Sequence, residues 1–171
     1  METTKLKRFA QHARTALIDT VKTKLAFVLA EGSSARRENP KAVEKLVEEI
    51  KSTSKDQVID KVAYIWFNRF IALRFMDVNR YTKLNIISPE PGQFQPTILS
   101  DAKMGHVDDS LVSDSVKEKV LALLENRTPS KDPQGEAYKL LIVSTCNYYS
   151  HSMPFLFERI ADYTELLMPD D

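Results

Sequence analysis

Segment 64–81 carries the side chains whose types and spacing are best suited to chemistry. It places Arg69, Arg74 and Arg80 among the only Trp of the chain and several Phe residues. A guanidinium group on so aromatic a helix needs a carboxylate, a carbonyl or a phosphate as its partner. The segment therefore predicts either a packed core or a surface that contacts a nucleic-acid backbone. For Arg69 and Arg74 the more ordinary expectation is pairing with an acidic residue such as Asp77, or stacking on neighbouring rings.

The other reactive side chains form no recognisable catalytic or metal-binding pattern. His12, His106 and His151 lie in separate segments without the spacing of a zinc or iron site. His106 and the aspartates at 108–109 have the donors for a hard cation, but a solvated loop is the expectation. Cys146 is near His151 in sequence, and a small buried thiol is expected rather than a nucleophile beside its base. With four glycines, the chain has no glycine-rich phosphate loop.

Positive charge is concentrated in the first third of the chain. The 24 basic and 24 acidic side chains cancel overall, yet residues 1–55 carry twelve Lys and Arg against seven Asp and Glu. Such a surplus points weakly to phosphate contact, because solvated helices also collect these residues. The candidate residues for contact with a DNA backbone are Lys5, Lys7, Arg8, Arg14, Arg36, Arg37, Arg69, Arg74 and Arg80.

The elements that must position these residues are almost all helical. Length (171 residues) and composition (43% hydrophobic, 28% charged) fit one soluble globular domain. Apolar residues at helical spacing predict a multi-helix bundle with one long irregular loop over 81–95. A short strand near Leu84–Ile87, within this loop, is an alternative. The predicted helices cover about 5–30, 40–52, 55–80, 96–103, 113–126, 134–150 and 154–167.

Local signals mark several helix ends. Gly32 is expected as a left-handed cap, and Asn39 is expected to cap a helix that begins at Pro40. Ser54 with Gln57 has the pattern of a capping box. In the following helix the large apolar residues spread around the axis, which predicts a central strut of the bundle: Trp66, Phe67, Phe70, Leu73 and Phe75.

The single cysteine excludes an internal disulfide framework and is typical of a reducing compartment such as the cytoplasm. The longest apolar runs are too short to cross a bilayer, and no signal-peptide pattern occurs. No membrane partner is expected.

Four collinear segments carry a resemblance that covers essentially the whole chain. They are Leu6-Lys-Arg-Phe-Ala-Gln-His-Ala-Arg14, Ala30-Glu-Gly-Ser-Ser-Ala-Arg-Arg-Glu-Asn-Pro40, the stretch 66–81 and the stretch 153–169. Together they resemble the amino-terminal region of the PglX (BrxX) family, the adenine-specific DNA methyltransferases of BREX bacteriophage-defence systems. Residues 132–138 fall in the expected place as well.

The resemblance implies transfer of the methyl group of S-adenosylmethionine to the exocyclic amino group of an adenine swung out of the duplex. In that family the cofactor and the adenine are expected on an α/β domain that follows this region, with an Asn-Pro-Pro-Tyr type motif. Neither that motif nor a glycine-rich cofactor loop occurs here. We therefore expect a fragment without catalytic domain, cofactor site or metal, which cannot methylate DNA alone. Its expected partner is its own catalytic domain, and self-association through an uncovered apolar face is open.

Two other functions stay open at this stage. The first alternative is an autonomous protein-interaction module that recruits other BREX proteins or is bound by a phage inhibitor. An independent enzyme using Cys146 and His151 is the least expected. Contact with the DNA backbone predicts an affinity for DNA that falls steeply as the salt concentration rises. Binding through an apolar protein interface should be much less sensitive to salt.

Overall fold

The computed structural model of the chain describes residues 3–158 and 162–169. Within those ranges it is all-α, as predicted, and contains no strand. The helices are α1 (Thr3–Leu29), α2 (Ser34–Glu38), α3 (Pro40–Ser52), α4 (Lys55–Val78), α5 (Thr97–Lys103), α6 (Asp114–Leu124), α7 (Pro133–Tyr149) and α8 (Asp162–Leu166).

The chain divides into two compact units. Unit 1 comprises Met1–Asn68 and Ala161–Asp171, and unit 2 comprises Arg69–Ile160. Helix α4 contributes its first part to unit 1 and its second part to unit 2. The expectation of a single domain stays a prediction.

Unit 1 buries the later half of α1 but leaves the earlier half exposed. The α1 side chains Val21, Leu25 and Val28 are buried, whereas Leu6 and Phe9 are 58% and 57% exposed. The rest of the unit 1 core comes from α3, the start of α4 and the segment around α8: Val43, Leu46, Val58, Val62, Trp66, Tyr163 and Leu167. The indole Nε1 of Trp66 donates a hydrogen bond to the carbonyl oxygen of Thr164 at 3.0 Å.

Unit 2 is built around the pair of helices α6 and α7, with α5 packed on both. Its core contains Leu73, Met76, Ile86, Ile98, Leu99, Val120, Leu141 and Phe157. Of the α4 side chains predicted to pack all round the helix, Trp66 and Leu73 are buried, each 0% exposed, whereas the prediction is wrong for Phe75, which is 58% exposed. That α4 is a central strut of the bundle stays a prediction.

Most helix signals of the sequence are confirmed. Gly32 has φ of 72° just after α1, and the backbone N–H of Gln57 donates to Ser54 Oγ at 3.2 Å. Pro40 begins α3, but the expected side-chain cap from Asn39 is absent. The short helix α2 was not predicted; the Ser33 hydroxyl caps it by accepting from the N–H of Arg36.

The alternative short strand at Leu84–Ile87 is wrong. The backbone N–H groups of Ile86, Ile87 and Ser88 donate to the carboxylate of Asp77, at 2.9, 2.8 and 2.9 Å. Three consecutive amides engaged by one carboxylate cannot pair with a neighbouring strand. The loop therefore takes its shape from a side chain of α4.

The predicted final helix over 154–167 is also wrong in its first part. Residues 153–157 form a single turn, in which Met153 O accepts from the N–H groups of Leu156 and Phe157. Residues 159–161 lie outside the described residues, and α8 covers only Asp162–Leu166. Of the apolar residues at 155–157, only Phe157 is buried, whereas Phe155 is 98% exposed.

None of the helices over the described part of the chain is both long enough and apolar enough to span a bilayer.

Candidate nucleic-acid interface

The first half of α1 presents exposed cations around an uncovered apolar stripe. Lys5, Lys7, Arg8 and Arg14 are all exposed, and no acidic residue occurs from Thr3 to Ile18. Arg14 Nη2 lies 3.7 Å from Asp60 Oδ1, and both side chains are largely exposed. An exposed pair at this distance is weak, so Arg14 remains able to contact an anion.

The two arginines of α2 differ in role. The Arg36 guanidinium donates from Nη2 and Nε to the carbonyl oxygen of Leu29, at 2.9 and 3.3 Å. It thereby satisfies a carbonyl at the end of α1, together with Ser33 Oγ, which donates to Val28 O at 2.8 Å. Arg37 is exposed. Arg36 is thus engaged in holding the α1–α2 turn, whereas Arg37 points to solvent.

Arg69 is placed in the interior of unit 2. Its side chain is 1% exposed, and its Nη2 donates to the carbonyl oxygen of Glu158. Burial lowers the pKa of the Arg69 guanidinium. Arg69 therefore belongs to a packed core, which was one of the two predictions for this segment. In this conformation its guanidinium does not reach a phosphate.

Arg74 and Asp77 do not pair with each other as expected. Arg74 is exposed and donates from Nη1 to the hydroxyl of Ser88. Asp77 is buried, and its carboxylate accepts instead from the loop amides of residues 86–88 and, at 3.5 Å, from the hydroxyl of Thr82. The loop is fixed further by Tyr138, whose hydroxyl donates to Ile86 O at 2.8 Å.

This buried carboxylate is the main feature of unit 2 that sequence reasoning missed. Asp77 was considered only as a partner for arginine. The available signal was an acidic residue near the end of an otherwise apolar helix, directly before a turn-rich segment. A carboxylate in that position requires donors, and the nearest unpaired donors are the amides of the loop that follows.

Arg80 stands beyond the end of α4 with a left-handed backbone. Its φ is 55°, it is exposed, and its side chain makes no hydrogen bond or ion pair within residues 3–158 and 162–169. It directly precedes Tyr81, which is 66% exposed. Of the three arginines of segment 64–81, Arg74 and Arg80 are therefore accessible and Arg69 is not.

Cys146 is buried, as predicted, and is not paired with His151. Burial raises the pKa of the Cys146 thiol to about 12, which keeps it protonated at neutral pH. His151 is exposed, and its Nδ1 lies 3.4 Å from the carbonyl oxygen of Tyr148. The pair therefore offers no activated nucleophile.

The expected solvated loop at 106–109 is also found. Asp108 Oδ1 accepts from the hydroxyl and the N–H of Ser110, which lowers the pKa of Asp108, and Asp109 accepts from Lys117 Nζ at 2.6 Å. His106 and His12 are exposed. Among the described residues no group of three or more His, Cys, Asp or Glu is arranged to hold a metal ion.

Known proteins show similarity to this chain, although no family model matches it. The adenine-specific methyltransferase PglX of Lacticaseibacillus casei (strain Zhang) is 30% identical over 98% of the chain, which corresponds to 16% of that protein. The adenine-specific methyltransferase BrxX of Escherichia coli O9:H4 (strain HS) is 30% identical over 75% of the chain and 10% of that protein. The chain thus spans only 10–16% of the length of these relatives. Over most of its length it is homologous to the adenine-specific methyltransferases PglX and BrxX.

Proposed function

We propose that this chain is the helical amino-terminal part of a larger BREX adenine-specific DNA methyltransferase of the bacterial cytoplasm. There it supports the catalytic part and contacts the backbone of duplex DNA through the first half of α1. The observation that carries this proposal is the 30% identity to PglX over 98% of the chain. That similarity favours a part of a methyltransferase over an autonomous recruitment module.

Such an enzyme would use S-adenosylmethionine as methyl donor, and the described residues do not fit a site for it. Cofactor cradles of this kind are built from a strand followed by a glycine-rich turn. Gly32, Gly92 and Gly105 lie in separate turns with positive φ, and Gly135 lies in the first turn of α7 beside Asp132. We assign the cofactor and the methyl transfer to other parts of the full-length protein.

The exposed apolar stripe of α1 supports the proposed role in holding the catalytic part. Leu6, Phe9 and Ala13 are spaced by three and four residues and share one face of the helix. Two large apolar side chains that are more than half exposed on one face mark a surface for a protein partner. In the full-length enzyme we assign this stripe to the catalytic part.

The DNA contact follows from the cations beside that stripe. Lys7 and Arg14 are seven residues apart and lie on the same side of α1, about 10 Å apart along its axis. Arg8 extends the basic surface around the helix. Contacts of this kind position a protein on the phosphates without reading the sequence.

The DNA role is tested in the full-length protein with the triple variant Lys7→Glu, Arg8→Glu and Arg14→Glu. If three phosphate contacts are lost, the slope of log affinity for duplex DNA against log salt should become less steep by about 2.7. The matched control reverses three exposed lysines elsewhere: Lys41→Glu, Lys51→Glu and Lys55→Glu. Equal losses in the two triple variants would contradict a localised contact and indicate a general charge effect.

The supporting role is tested separately with Leu6→Asp and Phe9→Asp. Both side chains are exposed in the isolated chain, so its melting temperature should not change. In the full-length enzyme the same changes should lower the melting temperature and reduce adenine methylation of host DNA. Normal methylation by the doubly substituted full-length enzyme would exclude this stripe as the supporting surface.

A further inference from the structure

Two aromatic side chains lie side by side and exposed at the carboxyl end of α4. Phe75 is 58% exposed and Tyr81 is 66% exposed, and their ring centroids are 5.9 Å apart in an edge-to-face arrangement with 72° between the planes. Val78, one turn after Phe75, is 62% exposed. Exposed rings in such a pair keep ring surface available for a planar partner.

Positive charge adjoins these rings. Arg74 precedes Phe75, and Arg80 precedes Tyr81; both are exposed. The only acidic residue between positions 69 and 83 is Asp77, whose buried carboxylate is occupied by the amides of residues 86–88. We call Arg74, Phe75, Val78, Arg80 and Tyr81 the α4-end patch. The patch is aromatic and cationic, and the carboxylate of Asp77 is buried rather than exposed beside the arginines.

The backbone of Arg80 is in an unfavourable conformation for its residue type. The N–H of Tyr81 donates to Met76 O at 2.9 Å and that of Arg80 to Asp77 O at 3.1 Å, which is the Schellman arrangement of a helix end. The left-handed position of that arrangement favours Gly or Asn, and the long side chain of an arginine is strained there. Strain at an exposed arginine that has no partner within the described residues points to a role for its side chain in binding.

The patch is also held rigidly. Asp77 fixes the loop that follows Tyr81, and the Tyr138 hydroxyl fixes the same loop at Ile86. A surface ordered before binding loses little conformational freedom when a ligand arrives.

We propose that the α4-end patch binds an unpaired nucleotide of single-stranded nucleic acid. The base stacks on the ring of Phe75 or Tyr81, and the guanidinium groups of Arg80 and Arg74 contact the flanking phosphates. Stacked duplex bases hide their faces, so this ligand is distinct from the duplex backbone assigned to α1. An apolar protein surface would leave the two guanidinium groups without a matching anion, and a phospholipid would supply a phosphate but no planar ring to stack on Phe75 or Tyr81.

The test uses the 171-residue chain and a labelled twelve-residue oligothymidine, with affinity measured by fluorescence anisotropy over a salt series. Phe75→Leu and Tyr81→Leu keep the patch apolar but remove stacking, and each should weaken binding about tenfold. Arg80→Gly should weaken binding several-fold and reduce the salt slope by about 0.7, as expected for one phosphate contact to a single strand. The matched control Phe155→Leu changes a Phe that is 98% exposed elsewhere in unit 2 and should bind like the unchanged chain.

Melting curves separate loss of the site from loss of the fold. Arg80→Gly relieves the backbone strain, so this variant should melt no earlier than the unchanged chain while binding more weakly. An abasic strand of equal length should bind at least tenfold more weakly than oligothymidine. Equal binding of the abasic strand, unchanged binding by both Leu variants, or no binding of oligothymidine at low salt would each overturn the proposal.

The α1 triple variant distinguishes this inference from the proposed function. It should lose affinity for duplex DNA and keep its affinity for oligothymidine. A failure of the duplex assay therefore leaves the oligothymidine result to decide on the α4-end patch.

Discussion

Helices α4 and α6 end in the same backbone arrangement but with different residues. At the end of α6, the N–H of Arg127 donates to Ala122 O at 2.8 Å and that of Asn126 to Leu123 O at 3.0 Å, repeating the pattern at Tyr81 and Arg80. The left-handed residue is Asn126, with φ of 56°, at one end and Arg80, with φ of 55°, at the other. Asn adopts this conformation at a lower cost in free energy than Arg, so the α4 end is not optimised for stability alone.

The chain after each helix is also held in a different way. After α4 a buried carboxylate on the helix, that of Asp77, accepts three backbone N–H groups of the next loop. After α6 the chain is held by exposed ion pairs of Arg127 with Glu118 at 2.9 Å and Glu125 at 2.5 Å. The strained α4 end is therefore supported by buried hydrogen bonds, and the relaxed α6 end by surface charges.

The largest effect is expected from Asp77→Ala. It leaves three loop N–H groups without their acceptor, and loss of charged hydrogen bonds in a buried position should destabilise the protein by about 3–5 kcal/mol. The measurement is the free energy of unfolding from urea titration. The matched control is Asp132→Ala, which removes a single exposed cap to the N–H of Gly135 and should cost about 1 kcal/mol. Equal losses in the two variants would contradict the anchoring role of Asp77.

Tyr138→Phe should have the next largest effect. It removes the donor to Ile86 O, with an expected loss of about 1–2 kcal/mol. Burial, and then the nearby Asp77 charge, raises the pKa of the Tyr138 hydroxyl above its ordinary value near 10. Above pH 10 the phenol of the unfolded chain loses its proton before the folded one does, so unfolding becomes more favourable.

The stability advantage of Tyr138 over Phe should therefore be complete below pH 10 and decline as the pH rises above it. Urea titrations of both proteins between pH 7 and pH 11 measure this difference. Cys146, whose pKa is also raised by burial, is present in both proteins and cancels in the comparison. A difference that stays constant to pH 11 would indicate that the Tyr138 phenol ionises alike in the folded and unfolded states.

The sequence predicts those features of the two helix ends that depend on residues close together in the chain, and not those that depend on distant residues. The ends of α4 and α6 follow from the apolar spacing of nearby residues, and the sequence placed both to within two residues. The Asp77 contacts join a helix to a loop nine to eleven residues later, and no periodicity encodes such a pairing. The hydrogen bond of Arg69 reaches the carbonyl oxygen of Glu158, 89 residues away, and only the folded structure reveals this contact. The exposure of Phe75 has the same origin, because helical spacing does not say which faces are covered.

Arg80→Gly should raise the stability of the protein, whereas the two substitutions above lower it. Gly adopts the left-handed conformation without strain, so the change should stabilise the protein by about 0.5–1 kcal/mol despite the greater freedom of the unfolded chain. Asn126→Gly is the matched control at the α6 end and should change stability less, because Asn already tolerates the conformation. If both changes stabilise the protein equally, Arg80 carries no special strain and the contrast between the two helix ends disappears.

The smallest effect is expected from Arg127→Ala. Its partners Glu118 and Glu125 are more than half exposed, so water and salt replace the lost ion pairs at little cost. The urea midpoint in 0.15 M salt should stay within experimental error of the unchanged protein. A clear loss at 0.15 M salt that disappears at 1 M salt would show that the exposed pairs anchor the α6 end as firmly as the buried carboxylate anchors α4. In that case the difference between the two ends would lie only in the residue at the left-handed position, Asn126 or Arg80, and in the strain that Arg80 carries there.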